Sequence, residues 1–161
     1  MTLSVKQAIT ILATAGALAA VAVPVLADTA NVDVTANIKG VCRIESIQSV
    51  DFGDLEQGTT APDRNAPGSV NYWCTKGVAY TITLGPGLNP AGTVRQMKGT
   101  ATTNSSELLK YQLVAQTPTS GTGRGPQAPE ALTLQGSVLG ADYNVLSVGG
   151  FKDTVVITVT P

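Results

Sequence analysis

Apolar and polar residues alternate without a break from Ala30 to Ile38. Ala30, Val32, Val34, Ala36 and Ile38 share one face of an extended strand, and Asn31, Asp33, Thr35 and Asn37 share the other. Lys39 and Gly40 interrupt the pattern, with Gly40 as a hinge. A second alternating stretch follows at 41–47, with Cys42, Ile44 and Ser46 on one side and Val41, Arg43 and Glu45 on the other. The same period of two returns at Val70, Tyr72 and Cys74, and at Val78, Tyr80, Ile82 and Leu84. It returns again at Leu109, Tyr111, Leu113 and Ala115, at Leu132, Leu134 and Gly136, and at Val155, Ile157 and Val159. Residues 94–97 add a short strand. Lys76 and Gly77 predict a hairpin turn, and residues 50–55 form an apolar patch around Gly53. Loops are expected at 57–67, 85–92, 99–106 and 117–129, each rich in Gly, Pro or small polar residues. No stretch after residue 27 has a helical period. Short strands separated by Gly/Pro turns predict an all-β sandwich. The last strand, 154–160, is the most hydrophobic and reads as central in its sheet, so something other than a following strand is expected to cover its side.

Residues 1–27 read as a secretory signal peptide. Lys6 supplies the positive start, residues 8–23 the apolar run, and Val25 and Ala27 the small residues before a cut after Ala27. The run is short for a membrane span and no basic stop-transfer cluster follows, so no membrane insertion is expected after cleavage. Cleavage would leave residues 28–161, one domain by length and large enough for a two-layer core. The chain carries 10 basic and 11 acidic residues. Only Lys6 is lost on cleavage, so the formal charge becomes nine minus eleven, or −2. That balance gives no basic patch, and nucleic acid is not an expected partner. Cys42 and Cys74 are the only two cysteines. In an exported chain they are expected to form one disulfide.

Several chemistries are excluded or weak. The chain has no His, so it has neither Ser–His nor Cys–His machinery. Asp51, Asp54 and Glu56 lie close in sequence, but their spacing supports neither a glycosidase pair nor a calcium loop. Gly121, Gly123 and Gly125 lack the Walker pattern and a strand–loop–helix context. Tyr72, Trp73 and Tyr80 could line a binding site, although aromatics in alternating strands are usually core. No catalytic residue, metal site or cofactor is expected.

The order of segments resembles the spore coat protein U family, which includes the secreted Csu-type pilins of archaic chaperone–usher pili. The resemblance rests on residues 32–42, on 51–55 (Asp-Phe-Gly-Asp-Leu) and on 72–77 around the second cysteine. It continues through 79–84, 87–89 (Gly-Leu-Asn), 95–97 (Arg-Gln-Met), 108–113 and 150–160. Phe151 stands where a Tyr is common, and 115–132 is rich in Gly and Pro rather than aromatic residues. The resemblance implies an immunoglobulin-like β-sandwich lacking its last strand and completed by donor-strand complementation. Residues 28–40 would be the donor segment, presenting Ala30, Val32, Val34, Ala36 and Ile38, and 41–161 the pilin domain. Val155, Ile157 and Val159 would line the acceptor groove. Implied partners are identical or related pilin subunits, a periplasmic chaperone and an outer-membrane usher, with secretion through the periplasm to a surface fimbrium serving adhesion and biofilm formation. The alternatives are a spore- or cell-surface coat protein and a monomeric secreted binding module.

Overall fold

The computed structural model describes residues 27–161, so the predicted signal peptide, apart from Ala27, lies outside the described residues. The chain divides into two units, the first ending at Ala36 and the second running from Asn37 to Pro161. Residues 27–36 of the first unit belong to no sheet and form no helix.

The second unit is built on two antiparallel sheets. The larger has six strands: β1 (Cys42–Gln48), β2 (Arg64–Cys74), β7 (Glu130–Val138), β5 (Leu108–Ala115), β4 (Arg95–Gly99) and β8 (Phe151–Lys152), in that spatial order. The smaller has three: β6 (Ser120–Thr122), β3 (Ala79–Leu84) and β9 (Ile157–Thr160), with β3 in the middle. The centre of the large sheet follows from strict alternation. Ala66, Gly68, Val70, Tyr72 and Cys74 of β2 are buried, and so are Leu132, Leu134, Gly136 and Val138 of β7. Opposite them β3 supplies Tyr80 and Ile82. Together Val70, Tyr72, Cys74, Tyr80, Ile82, Leu132 and Leu134 make the main core. A second core, Leu109, Val138 and Tyr143, lies under Phe52, Leu55, Met97, Leu146 and Phe151. Loop segments cover this second core, and glycine makes room for one of them. A Cβ on Gly136 would stand 2.5 Å from Val50 Cγ1 and 2.9 Å from Phe52 Cζ.

The observed elements differ from the expected ones in several places: the strand expected at 30–38 is not formed, and β8 was not expected. β2 begins at Arg64 and includes Pro67, inside the predicted loop. Pro67 lies beyond the last β1 pair, Gln48↔Ser69, where that edge of β2 has no ladder for a missing N–H to break. Part of the predicted 117–129 loop forms β6, because Gly121 and Gly123 let the backbone close on Tyr80 and on the Cys74 and Thr75 carbonyls. One helical turn, α1 (Gly140–Tyr143), appears where no helix was expected. Non-local bonds hold it: Gly140 N–H donates to Asp63 Oδ1 at 2.8 Å and Tyr143 Oη–H to the Pro62 carbonyl at 2.6 Å.

A further difference is the last strand, expected to be central in its sheet. It starts at Ile157 rather than 154 and is an edge, pairing with β3 alone. The Asp153 carboxylate is drawn away, accepting from Leu88 N–H and the Tyr111 hydroxyl. Residues 153–156 therefore leave the ladder, apart from one bond from Gly85 N–H to the Val156 carbonyl at 2.8 Å. Burial pushes the Tyr111 hydroxyl's pKa up, and the bond to Asp153 adds to the shift.

Candidate functional site

The candidate site is formed by β1 and the free edge of β9, which come within 8 Å of each other between Cα atoms, and the register of β1 defines its first wall. Cys42, Ile44 and Ile47 lie directly opposite Cys74, Tyr72 and Val70. Directly opposed residues of an antiparallel pair point to the same face, and Cys74, Tyr72 and Val70 all point into the core. The inner face of β1 is therefore Cys42, Ile44, Ile47. The three-residue step from Ile44 to Ile47 reflects a register shift between Ile44 and Ser46, a β-bulge at Glu45. Although these residues face inward, Ile44 is 40% exposed and Ile47 65% exposed.

The second wall is β9. Its inner residues Ile157 and Val159 are half-buried and pack on the main core, while Thr158 and Thr160 point outward. Val155, half-buried, continues the row ahead of the strand. One edge of β9 bonds to β3, and among the described residues no strand pairs with the other. That edge presents unpaired backbone N–H and C=O groups beside exposed apolar side chains. A cavity of about 690 Å³ lies apart from these two strands, lined by Val50, Phe52, Leu109, Tyr143, Leu146 and Phe151 and by no residue of β1 or β9.

The Cys42–Cys74 disulfide pins the start of the first wall to the core. On the same strand pair, Ser46 accepts a hydrogen bond from Asn71 Nδ2 at 2.9 Å on the outer face. The predicted donor residues are in water. Ala30, Val32, Val34 and Ala36 of the first unit are all exposed, Val34 at 91%, and so is Ile38.

Other candidates settle into structural roles. Tyr72 and Tyr80 are core residues whose hydroxyls bond at 2.8 Å with rings edge to face. Burial, then the bond to Tyr80, raises the Tyr72 pKa. Trp73 is half-buried on the outer face opposite Arg43. Asp51, Asp54 and Glu56 are exposed, and Asp51 Oδ1 caps a turn by accepting from Gly53 N–H at 2.9 Å. Among the described residues no three acidic, His or Cys side chains form a metal-binding group, and no helix is long and apolar enough to cross a membrane. Sequence reasoning missed Ile47 as an inward-facing residue of β1, and Val50, Phe52 and Phe151 as cavity lining. The three-residue step from Ile44 to Ile47, out of phase with a strand, was the available signal.

An immunoglobulin-like β-sandwich with one uncovered sheet edge is the class that fold and groove define, and the chain belongs to the Spore Coat Protein U domain family, which it matches over residues 28–158. It is 34% identical over 154 residues to Protein U of Myxococcus xanthus, covering 82% of this chain and 84% of that one. The fold is similar to a chain in the crystal structure of the CsuC–CsuE chaperone–tip adhesion subunit pre-assembly complex from the archaic chaperone–usher Csu pili of Acinetobacter baumannii. There the TM-score is 0.51 at 22% identity, over 76% of this chain and 40% of that one.

Proposed function

We propose that this chain is a structural subunit of a cell-surface fibre, in which residues 30–38 of one copy fill the groove between β1 and β9 of the next. The observation that carries this reading is the inward-facing row Ile44–Ile47, left open to solvent beside the unpaired edge of β9. A strand laid there would pair with β9 and place Val32, Val34 and Ile38 against both walls, the mode of β-strand addition. The similar structure is of a chaperone–subunit complex. By analogy, a periplasmic chaperone would fill the groove first and an outer-membrane usher would exchange that strand for the next subunit's.

Burying Val32, Val34 and Ile38 stabilises by about 1.5–3 kcal/mol each. Ordering the nine residues from Ala30 to Ile38 costs about 1–2 kcal/mol each. Backbone pairing at about 0.5–1.5 kcal/mol per bond brings the two sides close to even, and covering Ile44 and Ile47 tips the balance toward insertion. Persistence of the fibre would then rest on slow opening of a multiply paired strand. The family description and the relative's name suit a second destination, a spore coat, built by the same insertion.

The test is a pair of substitutions on opposite faces of the donor, made in the full chain with its chaperone co-expressed. Val34→Asp places an unpartnered carboxylate in the groove, a cost of several kcal/mol, and should abolish fibres in electron micrographs. Asp33→Ser alters only the other face and should leave them intact, a change within about 0.5 kcal/mol. Both variants should still yield a chaperone complex. Normal fibres from Val34→Asp, or no recoverable complex, would overturn the reading.

A further inference from the structure

A donor strand joined to its own domain by three residues faces a competing destination, its own groove. A short connector holds its cargo at an effective concentration on the order of millimolar, so self-insertion would outrun assembly unless geometry forbids it. One of the two polarities is excluded by length. To lie parallel to β1, the strand would place Ile38 beside the far end of β1, roughly 20 Å from Cys42. The four steps from Ile38 to Cys42 reach at most about 14 Å. The opposite polarity needs only a hairpin reversal at 39–41, and a tight reversal calls for backbone with positive φ.

Thr75, at the turn after β2, holds that connector against reversal. Its Oγ1 accepts from Val41 N–H at 3.0 Å and donates to the Lys39 carbonyl at 3.2 Å, with the Val41 carbonyl at 3.3 Å. Thr75 N–H in turn donates to the Val41 carbonyl at 2.9 Å. The two residues flanking Gly40 are thus tied to one side chain. Gly40 itself is not among the positive-φ glycines, and its backbone lies flat on Val78, whose Cγ2 a Cβ would meet at 2.9 Å. The hinge expected at Gly40 is a held, unreversed joint.

We infer that Thr75 is a positioning residue whose clamp on Lys39 and Val41 bars residues 30–38 from their own groove and so commits them to a second copy of this chain. The inference rests on the donor-strand reading above, and its test separates the two. In the full chain, Val34→Cys and Ile157→Cys are introduced together. Val34 is the middle of the five alternating apolar residues and Ile157 the middle of the three on the β9 wall, so the pair reports insertion in either polarity. After oxidation, denaturing gels and peptide mapping separate intrachain from interchain disulfides between positions 34 and 157.

With Thr75 present the links should be interchain and form a ladder. Thr75→Val should raise the intrachain share at least about fivefold, the change expected from losing one or two hydrogen bonds. Thr75→Ser, which keeps the hydroxyl, should restore the ladder. An unchanged ratio in Thr75→Val with ladders intact overturns the clamp and leaves the donor reading standing. No link of either kind with Thr75 present overturns the donor reading and the clamp with it. If Thr75→Val is not recovered, insertion of Gly-Ser-Gly between Gly40 and Val41 reads the same ratio, a rise supporting the clamp and no change overturning it.

Discussion

Ile47→Asp separates the stability of the subunit from its capacity to assemble. Ile47 faces the core by register, opposite Val70, yet 65% of its surface is in water. In the free subunit only about a third of the usual 1.5–3 kcal/mol for burying such a side chain is at stake, roughly 0.5–1 kcal/mol. A carboxylate there stays hydrated and adds no burial penalty. An inserted strand changes both terms, because it covers the position, forfeits the remaining apolar burial and strands an unpartnered charge. The sum is several kcal/mol per junction, about a thousandfold or more in the junction's equilibrium constant. Leu132→Ala is the contrast. Leu132 is fully buried, so its truncation should cost the subunit itself about 2–5 kcal/mol. Urea denaturation of the monomer, followed through the single Trp73, measures the first quantity. The ladder of heat-resistant oligomers on unboiled gels measures the second. Ile47→Asp should melt nearly as the parent does and form no ladder. An intact ladder, or a loss of subunit stability equal to that of Leu132→Ala, would refute the assignment of Ile47 to an unfilled groove.

Two further outcomes test the frame that holds the groove. Replacing Cys42 and Cys74 by Ser removes the tie between β1 and β2 across a separation of 32 residues and should lower stability by about 2–5 kcal/mol in a urea titration. Two free thiols in the native oxidised protein would contradict the disulfide. Gly136→Ala should cost about 1–3 kcal/mol, because the new methyl meets Val50 and Phe52 and pushes their segment off the sheet. A melting curve unchanged from the parent would show that the segment does not lie there.

The centre of the fold was legible because alternation is a local signal. Val70, Tyr72 and Cys74, Tyr80 and Ile82, and Leu132 and Leu134 all stand where their period of two puts them, in one core. Strand ends were less legible, since contacts distant in sequence decide them. Pro67 sits in a strand because β1 stops short of it, and residues 153–156 leave the ladder because Leu88 and Tyr111 hold Asp153. The helical turn at 140–143 depends on Asp63 and Pro62, nearly eighty positions earlier, and no pattern within the turn announces it.

The two halves of the candidate site differ in the same way. The alternation at 30–38 is written in nine consecutive residues, and it can be read without knowing anything else in the chain, although those residues join no strand here. A groove is a relation between two edges. Ile44 and Ile47 share an inward row only when β1 is seen to pair with β2 through a bulge, and the free edge appears only when β9 is seen to pair, among the described residues, with β3 alone. Read alone, a period of two groups Ile44 with Ser46 and sends Ile47 to the opposite face. The bulge at Glu45 reverses that, bringing Ile47 inward with Ile44 while the Ser46 hydroxyl bonds Asn71 outside. One extra residue therefore turns a strand with a mixed inner face into one with an apolar inner face. An isolated domain gains little from that change, because the face it creates stays wet. On the proposed strand insertion the gain would come when a strand covers it, which is the physical reason to read the bulge as part of an assembly surface rather than as an irregularity of the fold.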